Sequence, residues 1–175
     1  MESASILQAI AEVAIGLAGF GGIAAGLGYR ARGAWSDQDR TRLIQMVVSS
    51  LAVVFACFLP YAVHNLGGQQ PWSLSSAVLA LAPVWFLSFQ LRRVFAQTRP
   101  GSVTVQSGFS YPLAIFLFLV NLGALLLFLT SAFRLARPSL SFGLYLAAVL
   151  LLLVASAAVF VRLLSTSFGP DEPAA

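Results

Sequence analysis

One stretch near the amino terminus, residues 11–29, reads AEVAIGLAGFGGIAAGLGY and is apolar enough to lie in a lipid bilayer. It contains one carboxylate and six glycines. On a helix with about 100° per residue, five of its side chains fall within roughly 40° of one line: Glu12, Gly16, Gly19, Ile23 and Gly26. Gly22 lies at the margin of that line, and Gly21 lies on the opposite side. The stretch therefore predicts a membrane helix with a smooth face that has a carboxyl group at one end.

The composition of the whole chain fits the same environment. The chain has 175 residues, of which 59% are hydrophobic and only 9% are charged, and its mean hydropathy is +0.88. A soluble domain carries roughly a quarter of its residues as charged side chains. This chain has too few to cover a surface in water, so we interpret it as an integral membrane protein whose first partner is the lipid bilayer.

Several other classes of protein are excluded by the residues present. All ten basic residues are arginines at the ends of apolar runs, so the net charge of +4 indicates membrane topology and not nucleic-acid binding. Cys57 and His64 are the only cysteine and the only histidine, so disulfides and the familiar zinc spacings are missing. Phosphate-binding loops and nucleotide fingerprints are also missing. We expect no enzymatic activity, no catalytic residues, no metal and no cofactor.

The apolar runs predict an all-α fold with five transmembrane helices, at about residues 6–28, 43–66, 73–95, 112–133 and 141–164. Each run is long enough to cross about 30 Å of hydrocarbon. If the glycine-rich first run were re-entrant, four spans would remain. Residues 1–165 are predicted to form a single helical bundle, and the polar, proline-containing residues 166–175 a disordered tail. Ser36 and Asp39 match a capping box, which predicts that the second helix begins near Asp37.

Two of the predicted spans contain an internal proline, Pro60 in the second and Pro83 near the middle of the third. A proline removes one backbone hydrogen bond and bends a helix. Bent helices can frame a cavity or can serve only for packing. Packing is the interpretation that we favour.

The arginines predict the orientation of the chain in the membrane. With the amino terminus outside, eight arginines face the cytoplasm, and only Arg134 and Arg137 face outward. The opposite orientation would reverse this ratio and violate the positive-inside rule. We therefore expect the amino terminus outside and the carboxyl terminus inside.

Glu12 is the first candidate for a functional side chain. A carboxylate at the centre of a bilayer costs on the order of 3 kcal/mol, so such groups usually face protein or water. Glu12 lies about 9 Å below the outer edge of the first span by helical rise. It can line a path for a solute, or it can be a carboxyl group that is bonded to a neighbouring helix.

Three further polar residues are candidates. Asn121 lies near the middle of the fourth span, where a hydrogen bond to another helix is the ordinary expectation. Gln90 precedes Arg92 and can extend towards the membrane interface. His64 lies at the outer end of the second span, where it can sense pH or be a plain interfacial residue. Five hydroxyl residues are of a kind that is usual in membrane helices and can bond to the backbone of its own helix: Ser49, Ser50, Thr130, Ser131 and Ser156.

The small residues of the first helix predict a close helix contact. Glycines let two helices approach closely in lipid, where burial of apolar surface no longer drives association. The predicted contact residues are Gly16, Gly19, Gly22 and Gly26, and Gly22 with Gly26 forms a GxxxG pair. The partner helix can belong to the same chain, to a second copy or to another membrane protein.

The opening AEVAIGLAGFGGI at residues 11–23 resembles the first helix of small, uncharacterised bacterial membrane proteins that share an Ala-Glu-Val and Gly-Leu-Ala-Gly-Phe pattern. The resemblance implies a helical bundle of the bacterial inner membrane and implies no activity. Two functions stay open. The chain is a non-enzymatic protein that self-associates or docks through its first helix, or an oligomeric passive channel or small carrier with Glu12 lining the path.

Overall fold

The computed structural model describes residues 2–32, 37–67, 70–97, 111–133 and 140–167, and this part of the chain contains helices and turns but no strand. Its six helices are α1 (Glu2–Arg32), α2 (Asp37–Asn65), α3 (Pro71–Leu79), α4 (Leu81–Gln97), α5 (Tyr111–Ala132) and α6 (Ser141–Ser167). The predicted all-α class is confirmed for the described residues.

Five helical segments are long and apolar enough to cross a membrane: Ser3–Leu27, Leu43–Asn65, Pro71–Ser88, Pro112–Ala132 and Ser141–Ser165. They match the five predicted spans in number and order. The third segment ends at Ser88, whereas the predicted third span extends to about residue 95 and helix α4 itself continues to Gln97. The orientation of these helices stays a prediction.

The two ends of α2 match local sequence signals. Helix α2 begins at Asp37, the position that the capping pattern predicts, although Ser36 itself lies outside the described residues. It ends beside Gly67, whose φ of +84° is a left-handed conformation that suits glycine. Helix α6 continues to Ser167, two residues into the predicted tail, and residues 168–175 lie outside the described part.

The two internal prolines have different effects. Helix α2 continues through Pro60 without interruption. Pro83 follows the point where the third span divides into α3 and α4, with Ala80 between them. The interruption falls before the proline because the missing N–H would have bonded to the carbonyl of residue 79.

The helices form two compact units, Met1–Cys57 with Leu153–Ala175 and Phe58–Leu152. Buried side chains of the first unit include Leu7, Ala14, Met46 and Val53. In the second unit, α3, α4 and α5 pack together. The single bundle predicted for residues 1–165 stays a prediction.

Large apolar side chains are exposed on every helix. More than half of the side-chain surface is accessible at positions such as Phe20, Phe55, Leu81, Leu119 and Val161. Apolar surface of this extent makes a protein aggregate in water, whereas lipid chains solvate it. The exterior is therefore suited to a bilayer.

Candidate functional site

Helix α1 has one face that packs inside its own unit. Its buried residues are mostly small and include Ala11, Ala14, Gly21 and Ala24. A methyl group at Gly21 would overlap Sδ and Cε of Met46 in α2 and would lie 3.7 Å from the Phe160 ring in α6. Among the glycines of α1 whose surroundings the structure describes, Gly21 is thus the one at which the helix approaches its neighbours closely.

The opposite side of α1 is the glycine face, which consists of Glu12, Gly16, Gly19, Gly22, Ile23 and Gly26. Its side chains are exposed, except that Gly16 is half-buried, and Ile23 is 61% accessible. A Cβ atom built on any of the four glycines would meet no heavy atom of the described residues within 4 Å. Within the described part of the first unit, these four glycines therefore have no close packing partner, and the contact predicted for them stays a prediction.

The carboxylate of the glycine face has a polar partner on its own helix. The side-chain amide of Gln8 donates a hydrogen bond of 3.0 Å to Oε1 of Glu12. Gln8 was not among the residues singled out from the sequence, although its spacing of four positions places it beside Glu12 on a helix. An amide carries a second N–H and a carboxylate has several lone pairs, so both groups have the capacity for more hydrogen bonds than this one.

The other predicted polar residues lie elsewhere. Asn121 donates to the Leu117 carbonyl at 2.8 Å, so this bond lies within α5. The bond expected from the sequence was one to another helix. His64 is exposed, and its carbonyl accepts a 3.1 Å bond from Gly67 at the end of α2. Gln90 belongs to α4, in a stretch whose side chains lie outside the described part. Glu12 belongs to the first unit, and Asn121 and His64 belong to the second.

Some hydroxyl groups bond to their own helix, as the sequence predicts. Ser49 donates to the Met46 carbonyl at 3.0 Å, and Thr130 donates to the Leu127 carbonyl at 2.8 Å. Both bonds satisfy the hydroxyl donor without requiring a second helix. For these two residues the expectation is confirmed.

Other hydroxyl groups join different helices. The Oγ atoms of Ser50 in α2 and Ser156 in α6 lie 2.7 Å apart and are buried. In the second unit, the Oγ atoms of Ser76 in α3 and Ser131 in α5 lie 2.9 Å apart. The sequence carries no signal for either pair, because the partners are far apart in the chain and serines are common in membrane helices.

The chemistry of the glycine face suits binding. Its one polar side chain is the carboxylate of Glu12, which has the Gln8 amide beside it, and the rest of the face is glycine and one isoleucine. Within the described ranges, no three His, Cys, Asp or Glu residues come together. The face therefore offers hydrogen bonds at one end and close backbone approach along the rest.

The five apolar helices and their exterior are those of a multi-pass membrane protein. No protein-family model matches the chain, and no curated protein or solved structure is significantly similar to it. The resemblance of residues 11–23 to small bacterial membrane proteins stays a prediction.

Proposed function

We propose that this chain is a non-enzymatic protein of the bacterial inner membrane that associates with a second copy of itself through the glycine face of α1. The orientation that the arginines predict, with the amino terminus outside, forms part of the proposal. The observation that carries it is the contrast between Gly21, which has a packing partner inside the protomer, and the four glycines of the opposite face.

The cost of those four glycines supports a contact. In a helix, glycine is less favourable than alanine by about 1 kcal/mol per position in water, because its backbone has more freedom to lose. At Gly21 the close approach of Met46 offsets this cost. At Gly16, Gly19 and Gly22 no described residue does so. In lipid, close approach of another helix supplies the missing contacts.

The position of the polar pair favours a second copy as the partner. All copies of one protein insert in the same orientation, so two α1 helices related by a twofold axis along the membrane normal run parallel. Gln8 and Glu12 of each copy then lie at the same depth, and the glycines meet glycines. The second N–H of the Gln8 amide in one copy can donate to the Glu12 carboxylate of the other copy. An unrelated helix would need a polar group at that same depth.

The proposal is tested by the oligomeric state of the full chain in lipid nanodiscs. Gly19→Leu and Gly22→Leu place a bulky side chain where the protomer has open space. We expect each to weaken association at least tenfold, about 1.4 kcal/mol, while the melting temperature of the protomer stays unchanged.

A matched control is available on α6. Gly143 is also exposed with open space around its Cβ position, but it lies outside the glycine face. Gly143→Leu should associate like the parent protein. A monomeric parent protein, or equal association of all three variants, would refute the proposal.

The alternative function, a channel or small carrier, is favoured by one observation: Glu12 is exposed on the same face as the glycines. If copies enclose a path along this face, the carboxylate lines it. Cation flux into liposomes separates the two functions. A channel should lose or change its flux in Glu12→Gln while remaining assembled, whereas the docking function predicts no flux in the parent protein.

A further inference from the structure

The glycine face of α1 repeats along its length. Its glycines follow one another at intervals of three, three and four residues: Gly16, Gly19, Gly22 and Gly26. One helical turn has 3.6 residues, so a second α1 helix that is shifted by one turn along its axis still places three glycines against glycines. Ile23 adds apolar contacts, which have no preferred direction. The glycines therefore permit close approach without determining the register, by which we mean the axial shift between two associated α1 helices.

The polar pair of the same helix, Gln8 and Glu12, occurs only once. These two are the only polar side chains between residues 6 and 28. Both are exposed, and the Gln8 amide donates the 3.0 Å bond to Oε1 of Glu12. On a helix, Glu12 lies at the centre of the glycine line and Gln8 lies about 40° to one side of it. A helix that covers the glycines therefore meets the polar pair as well.

The rotation of this part of α1 is set by the side that packs inside the first unit. Its buried side chains here are Leu7, Ile10, Ala11 and Ala14. They alternate with Gln8 and Glu12 along the chain, so the polar pair lies on the side of the helix away from this packing. A second copy therefore meets the amide and the carboxylate without any rearrangement of the protomer.

The polar pair distinguishes between registers that the glycines do not distinguish. The bond from Gln8 to Glu12 brings the amide and the carboxylate to one depth, so an unshifted parallel pair of helices has all four groups at the same depth. Each amide can then donate its second N–H to the carboxylate of the other copy. A shift by one turn separates the two groups by about 5.4 Å along the axis, further than a hydrogen bond spans. It also places one Glu12 against the glycines of the other helix, where no side chain can bond to it.

We propose that the polar pair sets the register of the association through α1. The glycines bring two helices together, and the hydrogen bonds between Gln8 and Glu12 of the two copies hold them unshifted. This inference rests on the association that is proposed above and adds the residue that determines its geometry. A single polar residue in an apolar helix interface fixes register in the same way in coiled coils, at some cost in stability.

The register is measured with one spin label per copy, so that every distance joins two copies. The label is attached at Phe20→Cys in a Cys57→Ala background, because Phe20 is 66% exposed and lies about 80° from the glycine line. The full chain is extracted from the cell membrane directly into polymer nanodiscs, which keeps all copies in one orientation. We expect one narrow distance peak for the parent protein. A mixture of registers would give a broad distribution or several peaks, since each turn of shift moves a label by about 5.4 Å.

Two substitutions separate register from affinity. Gln8→Leu removes the amide and leaves every glycine, so copies should still associate while the distance distribution becomes broad. The association should weaken by about tenfold or less, because an average hydrogen bond between membrane helices corresponds to roughly a threefold change and two are lost. Gly22→Leu should do the reverse. It should lower the fraction of associated copies and leave a single peak in those that remain.

Two further variants serve as controls. The exchange of Gln8→Glu with Glu12→Gln keeps one amide and one carboxylate at the same two positions, so it should restore the narrow peak. Gln45→Leu makes the same chemical change as Gln8→Leu on α2, outside the glycine face. It should leave the peak as in the parent protein.

The possible failures are distinguishable. A monomeric parent protein would refute the association and the register together. If the parent protein associates but Gln8→Leu keeps the same narrow peak, the association stands and the polar pair does not set its register. A broad distribution in the parent protein, or an exchange variant as broad as Gln8→Leu, would overturn the register in the same way. Gln8→Ala repeats the test if Gln8→Leu does not insert into the membrane.

Discussion

The hydroxyl oxygens of Ser50 and Ser156 lie 2.7 Å apart although 106 residues separate them in the chain. Both side chains are fully buried, and the bond joins α2 to α6 inside the first unit. A hydrogen bond between membrane helices contributes on average about 0.6 kcal/mol, because a lone serine can turn to its own backbone instead. The pair is thus a modest but specific link between the two helices.

A double-mutant cycle on this pair should measure that link. We expect Ser50→Ala and Ser156→Ala each to lower the free energy of unfolding by about 0.5–1.5 kcal/mol. The double variant should cost about 0.6 kcal/mol less than the sum, because the second substitution breaks no further bond between the two residues. Unfolding in mixed micelles provides the measurement. Ser49→Ala is the control, since Ser49 bonds to its own helix. Strict additivity would show that the two hydroxyls do not interact.

The two sides of α1 should respond differently to larger side chains. At Gly21 even a methyl group would overlap the terminal atoms of Met46, which is itself fully buried. We expect Gly21→Leu to lower the unfolding free energy by about 1–3 kcal/mol through overpacking. Gly22→Leu, one position further, should change it by less than about 0.5 kcal/mol. Thermal unfolding of the two variants in the same detergent makes the comparison.

The flexible end of Met46 offers a check on the cause. If overlap with this side chain destabilises the Gly21 variant, then Met46→Ala should cost less in the Gly21→Ala background than in the parent protein. If Met46→Ala lowers the free energy of unfolding equally in both backgrounds, the destabilisation caused by substituting Gly21 arises from some other contact.

The helical segments were predictable because they depend on local properties. Long apolar runs must satisfy their backbone hydrogen bonds internally in lipid, and a helix does so without reference to the rest of the chain. The phase of α1 was predictable for the same reason, and Gly21 does lie opposite Glu12. Which of the two faces packs inside the protomer was not predictable, since both faces carry small residues and the choice depends on α2 and α6.

The interruption at Ala80 and the serine pairs show where local information ends. A bend near Pro83 follows from the sequence, but Pro60 is an internal proline as well and leaves α2 intact. The partner of Ser156 depends on how α6 meets α2, and hydropathy does not contain that information. For Asn121 a hydrogen bond to another helix was expected, and the bond that the structure describes, to the Leu117 carbonyl, lies within α5.

The end of α2 depends on a glycine that alanine cannot replace without strain. Gly67 has a φ of +84°, and its N–H donates to the His64 carbonyl at 3.1 Å. A side chain in this region costs roughly 1–2 kcal/mol, less for asparagine. We expect Gly67→Ala to lower the unfolding free energy by about 1 kcal/mol and Gly67→Asn to have a smaller effect.

Gly143→Ala is the control for that measurement, because it adds the same methyl group to an exposed glycine whose φ is not positive. It should be neutral or slightly stabilising, since alanine is the better helix former. If Gly67→Ala is as stable as the parent protein, the turn after α2 tolerates another conformation.

The predicted orientation rests on arginine counts and can be measured directly. The predicted cytoplasmic segments hold eight arginines, and the external ones hold Arg134 and Arg137. Segments with more arginines tend to stay in the cytoplasm. In a Cys57→Ala background, a membrane-impermeant maleimide added to intact cells should label Arg134→Cys. It should label Thr98→Cys only after the membrane is opened. The reverse pattern would show that the orientation is opposite to the predicted one, and Glu12 would then lie in the cytoplasmic half of the bilayer. Equal labelling at both positions would mean that α5 does not cross the membrane.

A fusion of green fluorescent protein to the carboxyl terminus checks the number of spans independently, because five spans with an external amino terminus end in the cytoplasm, where that reporter fluoresces.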